Sequence, residues 1–175
     1  MLTLNKRKIR KTNENDIDRV MGIFSYARKS MAENGNPRQW GHNNWPPRDV
    51  ICNDIKSGNS YVCVNDNDEV IGTFCYIYGK NIEPTYDKIF EGSWSNDEPY
   101  GVVHRIASDG SEKGIGTFCL NWAFSQCGHL RIDTHSDNKV MQNLLKKLGF
   151  DYRGIIYVPV DKDPRLAYEK LGECR

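Results

Sequence analysis

The sequence has no apolar run long enough to cross a bilayer as a helix. Its longest uncharged apolar stretch, residues 70–78, falls far short of the ~18 residues such a span needs. Residues 1–6 hold no apolar segment, so no secretory leader is expected. Charge of one sign is lacking as well. Lys and Arg total 24 against 23 Asp and Glu, a net charge of +1, so no field is available to hold a nucleic acid or an anionic membrane. Neither partner is expected. The nearest basic run, Lys6-Arg7-Lys8, is too short for a binding patch and reads as a solvated lead into the first strand. The six cysteines at 52, 63, 75, 119, 127 and 174 are even in number, which would permit disulfides, but no CxxC pair occurs among them. Cys63, Cys75 and Cys119 stand in apolar segments and read as reduced core thiols of a cytoplasmic protein. Repeats, low-complexity tracts and Pro/Gly/Ser linkers are also missing, and the length fits the ~100–200 residues of one domain. Residues 1–175 are therefore expected to form a single domain. With 38 % apolar and 11 % aromatic residues, the chain can bury a core and is not disordered.

What is present is an alternation of periodicities. Ile17, Val20, Met21, Phe24 and Met31 recur at helical spacing behind capping residues 13–16, predicting a first helix over 14–33. An irregular loop rich in Gly and Pro follows and carries Trp40 and Trp45; a short helix over 48–57 ends at Gly58. Residues 61–64 and 70–78, joined by Asn65-Asp66-Asn67-Asp68, predict an antiparallel hairpin. Polar residues 79–98 read as loop, and 102–107 as the fourth strand. Ile115, Phe118, Cys119, Trp122 and Ala123 mark a third helix, with Trp122 on its core stripe. Residues 130–134 predict the fifth strand. Met141, Leu144, Leu145 and Leu148 predict a fourth helix with Gly149 after its end, and strands are predicted at 154–158 and 165–169. The predicted class is α/β (α+β): a mixed, mostly antiparallel central sheet with helices on both faces.

Between the fourth strand and the third helix lies Ser108-Asp109-Gly110-Ser111-Glu112-Lys113-Gly114-Ile115-Gly116-Thr117. Glycines at a helix start let a ligand approach bare backbone, and the N–H groups there suit a pyrophosphate. A plain tight turn has the same composition. Two phosphate loops do not fit. The dinucleotide fingerprint needs Gly or Ala where Cys119 stands, and no Gly-Lys-Ser/Thr triplet occurs.

The stretch Ser111-Glu112-Lys113-Gly114-Ile115-Gly116 resembles the Q/R-x-x-G-x-G/A motif of the GNAT superfamily of acetyl-CoA-dependent N-acetyltransferases, with Ser111 in place of Gln or Arg. Asn138, Met141, Leu144 and Gly149-Phe150 resemble the family's downstream N-x-x-A-x-x-x-Y-x-x-x-G-F stretch. The resemblance implies splayed fourth and fifth strands with acetyl-CoA between them. Its pantetheine arm would pair with main chain at Ile106, Ala107 and Ser108. Its pyrophosphate would meet the loop Ser111, Glu112, Lys113, Gly114, Ile115, Gly116 and Thr117, with Asn138 also near the cofactor. It implies direct acetyl transfer to an amine of a small molecule or peptide. A homodimer is carried as a further expectation, and no metal is assigned.

Amine acylation needs a proton acceptor, and imidazole is the side chain best suited near neutrality. His104 on the fourth strand is the candidate base, with a hydrogen-bonded structural histidine as the alternative. Strand alternation places Val102, His104 and Ile106 on one face. Asp133 and His135 on the fifth strand are candidates for contacting or polarising the acceptor, or for a structural role, ahead of direct catalysis. Trp40 and Trp45 are candidate walls of the acceptor pocket, or anchors of their loop. Leu145 stands where many family members carry a tyrosine that protonates the leaving thiolate. That departure keeps a non-catalytic acyl-CoA-binding module as the rival reading, beside an interaction domain with an unused cleft.

Overall fold

The structure is a computed structural model and describes residues 6–41 and 43–172; residues 1–5 and Cys174 lie outside the described residues. The elements run β1 (Lys8–Lys11), α1 (Ile17–Glu33), α2 (Arg48–Lys56), β2 (Ser60–Val64), β3 (Val70–Gly79), β4 (Tyr100–Ser108), α3 (Ile115–Cys127), β5 (His129–His135), α4 (Lys139–Lys147), β6 (Asp151–Tyr157) and β7 (Pro164–Leu171). The seven strands are ordered β1-β2-β3-β4-β5-β7-β6. β1–β2, β2–β3, β5–β7 and β6–β7 are antiparallel, and β4–β5 is parallel. The mixed, mostly antiparallel class is as expected. No helix among the described residues is long and apolar enough to cross a membrane.

The backbone groups into two compact units. The first holds the described residues up to Tyr76 with His104–Trp122. Asn13 and Asp16 form a capping box on a short 3-10 turn, which leads into α1. Val20, Ile23, Phe24 and Ala27 of α1 pack with Ile51 of α2, Val62 and Val64 of β2, Val70 of β3 and Ala107 of β4. The helical spacing read in the sequence is therefore the spacing of a core face. Trp122, expected in the core, is half-buried and sits among the rings of Tyr61, Phe74 and Tyr76 at 4.9–5.8 Å. Gly72 lies opposite Cys63 in the β2–β3 ladder, and a Cβ there would meet Ile115 Cγ2 at 2.6 Å. The bare backbone lets the start of α3 press against β3.

The second unit holds Ile77–Val103 and the described residues from Ala123 onward. The polar segment after β3 is more ordered than loop chemistry predicts. It forms a 3-10 turn at Pro84–Tyr86 and a bridge between Phe90 and Ile155. Tyr86 then joins Tyr100, Val102, Ile156 and Ala167 in a core cluster. The parallel β4–β5 pairing sets Gly101 opposite Leu130 and Val102 opposite Arg131, at the start of both strands. Asn138 caps α4 by accepting from the Met141 N–H at 3.0 Å. Gly149 takes φ +83° behind the helix, as its sequence position suggests. The five described cysteines are free, and Cys63, Cys75 and Cys119 are buried.

Candidate active site

In the first unit, β4 runs into the glycine loop and α3. The Asp109 N–H donates to the Ile71 carbonyl at 3.0 Å, which ties the loop to β3. The Asp109 carboxylate accepts from the Ser111 N–H at 2.9 Å and the Ser111 hydroxyl at 2.6 Å. Its other oxygen pairs with Arg19 of α1. This is an Asx turn, in which the side chain closes the bend that the backbone makes. Gly110 has φ +72°, and a side chain there would run into the Tyr26 hydroxyl. Gly114 has φ +77°, and its carbonyl accepts the Phe118 N–H at 3.0 Å, opening α3. Both positions favour glycine for conformational reasons.

Arg7 departs from its solvated assignment. Its side chain is only 15 % exposed and pairs with Glu112. Nε donates to Glu112 Oε2 at 2.9 Å and a terminal nitrogen donates to the Lys113 carbonyl. The guanidinium thus braces the loop and neutralises its carboxylate. Sequence reading missed Arg7, Arg19 and Asp109 in this role. Only the turn chemistry of Asp109-Gly110 was a signal for any of them.

The side chains of Asp109, Ser111 and Glu112 are therefore spent on building the loop. What is left for a ligand is backbone. The first-turn N–H groups of α3, at Ile115, Gly116 and Thr117, are those an α-helix leaves without an intrahelical acceptor. With the positive end of the helix dipole they suit a pyrophosphate. A cavity of about 530 Å³ opens beside the same loop, with Glu69, Asp109 and Glu112 against Arg19 in its lining. Asp109 and Glu112 of that lining are paired with Arg19 and Arg7, which leaves Glu69 as its further acidic side chain.

β4 itself carries His104, which is half-buried, then Arg105 with φ +52°. The Arg105 guanidinium makes a two-point ion pair with Asp54 of α2, at 2.9 and 2.8 Å. Ala107 is buried in the first unit's core, while Ile106 and Ser108 are half-buried. Trp40 packs edge-on to Phe24 with ring centroids 5.7 Å apart, against the same core. This is the geometry of a loop anchor. Trp45 is half-buried; its N–H donates to the Trp40 carbonyl and its own carbonyl accepts from Arg28.

In the second unit, Asp133 accepts a 2.8 Å hydrogen bond from the Tyr86 hydroxyl. Burial and the neighbouring carboxylate hold the Tyr86 phenol well above its usual range, so it remains a donor. His135 is buried. Its Nδ1 accepts the Asp137 N–H at 3.0 Å, which makes Nε2 the donor to Asp163 at 2.9 Å. Both ring nitrogens are engaged within the protein. Leu145 is fully buried. Among the described residues no group of three or more His, Cys, Asp or Glu could hold a metal ion.

The acetyltransferase (GNAT) family model matches residues 27–150. A GNAT-family acetyltransferase structure from Streptococcus agalactiae is similar at 32 % identity over 96 % of both chains, with a TM-score of 0.85. A GNAT-family acetyltransferase from Bacillus cereus shares the fold at 17 % identity, covering 97 % of this chain and 99 % of its own, with a TM-score of 0.62. An agmatine N-acetyltransferase variant shares it at 11 % identity, covering 93 % and 98 %, with a TM-score of 0.60. No curated protein matches the chain.

Proposed function

The chain belongs to the GNAT acetyltransferase family, and from that premise we propose that it transfers an acetyl group from acetyl-CoA to a primary amine of a small molecule or peptide. The observation that carries this reading is the β4–α3 junction. Its side chains are turned to bracing the loop, and its helix-start N–H groups at Ile115, Gly116 and Thr117 are the groups left for a pyrophosphate. The pantetheine arm is assigned to the main chain of Ile106, Ala107 and Ser108. Acetyl-CoA supplies an activated thioester carbonyl. The acceptor nitrogen attacks its carbon, the C–N bond forms, the C–S bond breaks, and the electron pair leaves on sulfur. His104 takes the proton that the amine must lose. Leu145 has no proton to give, so water protonates the thiolate. Within the second unit, Asp133, which accepts from the Tyr86 hydroxyl, and His135, which donates to Asp163, are kept as proposed acceptor-contacting residues, each to be tested by itself. The buried free thiols agree with a cytoplasmic, reducing compartment. Residues 1–175 are read as one N-acetyltransferase-like domain.

The test is a panel of amines with acetyl-CoA, read by thiol release. Release that depends on one class of amine supports the enzyme. CoA binding without release from any amine supports the binding module, the reading that Leu145 favours.

Two substitutions probe the parts. Gly116→Trp should weaken CoA at least tenfold, about 1.4 kcal/mol, in a folded protein. Calorimetric titration showing wild-type affinity would remove the loop from the cofactor site. Trp45→Ala should raise the acceptor KM severalfold and leave CoA affinity unchanged, because an indole offers a cation–π face worth roughly 0.5–2 kcal/mol. Trp40→Ala, by its contact with Phe24, should instead lower the melting temperature by several degrees with the acceptor KM unaltered. The opposite pattern would exchange the two roles.

A further inference from the structure

Arg105 takes φ +52° inside a strand. A left-handed backbone is unfavourable for a long side chain unless the surroundings impose it. The imposing contact is the Asp54 carboxylate. Arg105 Nε and a terminal nitrogen reach the two oxygens of Asp54 at 2.9 and 2.8 Å, with the side chains 17 % and 15 % exposed. A planar guanidinium facing a carboxylate through two bonds fixes direction as well as distance. Asp54 stands on α2, whose Ile51 is in the same core cluster as Ala107. β4 is therefore held to the helical layer at Arg105 by charge and at Ala107 by packing. A left-handed residue within a strand bends it and re-aims the groups that follow. Here the kink falls between His104 and the run Ile106, Ala107 and Ser108.

We infer that Asp54 is a positioning residue for the cofactor: through Arg105 it holds the kink of β4 and so sets the direction of the main-chain groups at Ile106–Ser108. This rests on the assignment of that run to the pantetheine arm. Asp54 itself touches no substrate in this scheme. It acts two contacts away, from a helix whose sequence shows nothing beyond amphipathic spacing.

Glycine separates the kink from the clamp. It accepts φ +52° without strain, whereas alanine does not. Asp54→Asn, Asp54→Ala and Arg105→Ala should each weaken CoA about tenfold or more, by calorimetric titration of the full chain with CoA. Arg105→Gly should stay within about threefold of wild type, although it has lost the same ion pair. A purely structural role predicts the reverse order, since glycine loosens a strand more than alanine. Melting curves identify the variants that are folded, and Asp54→Asn keeps the side-chain volume should Asp54→Ala not fold. Wild-type affinity in folded Asp54→Asn, or equal losses in Arg105→Ala and Arg105→Gly, would overturn the inference while leaving the proposed function standing. Wild-type protein that binds no CoA would overturn both.

Discussion

Glu169→Ala is expected to cost about 3–5 kcal/mol of stability, the range for removing one partner of a buried ion network. Glu169 on β7 is fully buried opposite Arg131 in the β5–β7 ladder. One oxygen accepts from His129 Nε2 at 2.7 Å and Arg131 Nε at 3.0 Å. The other accepts the Ser95 N–H and hydroxyl and lies 3.0 Å from Arg153 Nε. Arg131 also lies between the rings of Trp94 and Tyr100, at 4.5 and 4.1 Å. Removing the carboxylate would leave the buried Arg131 guanidinium, among the described residues, with the Asn96 carbonyl as its remaining hydrogen-bond acceptor. At ~2–4 °C per kcal/mol for a chain of this size, the melting temperature should fall by about 10 °C. A loss under 2 °C would show that the network contributes specificity rather than stability.

The same carboxylate sets an acid limit. Burial alone would raise its pKa, but hydrogen bonds from His129, Ser95 and Arg131 outweigh burial and draw it down from 4.5 to about 2. A pKa lower in the folded than in the unfolded chain adds stability at higher pH. That contribution is complete above about 4.5 and is lost as pH falls towards about 2. At 1.36 kcal/mol per pH unit it is on the order of 3 kcal/mol. Glu169→Gln keeps the shape and should flatten the decline of stability over that window. Urea denaturation at several pH values measures it, and an unchanged slope would assign acid sensitivity to other carboxylates.

The legible parts were those written in local pattern. The 3.6-residue recurrence in 17–31 is the core face of α1, and the glycines at 110 and 114 stand where the chain needs positive φ. The strand-to-helix position of the loop was legible for the same reason. What stayed hidden depends on distance along the chain. Arg7 meets Glu112 across 105 positions, and Glu169 meets Ser95 across 74. No spacing rule connects such pairs, because the sheet order that joins them is a property of the whole fold. The segment after β3 was misread because its polar residues outnumber the few that anchor it. Tyr86 is buried and Trp94 half-buried, their rings 5.0 Å apart, while most residues around them in the chain are exposed. The kink at Arg105 was invisible for another reason. Strand alternation presumes that every residue is extended, and one positive φ in a non-glycine residue leaves no mark on composition.

His104→Ala is expected to slow kcat/KM by roughly 10²-fold, the low end for loss of a general base. His104 is half-buried on β4 and is followed at once by the left-handed Arg105. It therefore sits between the parallel start of the strand, at Gly101 and Val102, and the run assigned to the pantetheine arm. The next residue is fixed by the Arg105–Asp54 pair, which suits a neighbouring group that must meet a reacting nitrogen repeatably. If His104 takes the amine proton, its removal should lower kcat and kcat/KM together, since proton transfer is made only in the transition state. CoA affinity should stay within about twofold of wild type. His104→Gln, which keeps hydrogen bonding but cannot accept the proton, should behave like alanine. A glutamine variant that recovers the wild-type rate and pH profile would make His104 a positioning residue and leave the proton to water.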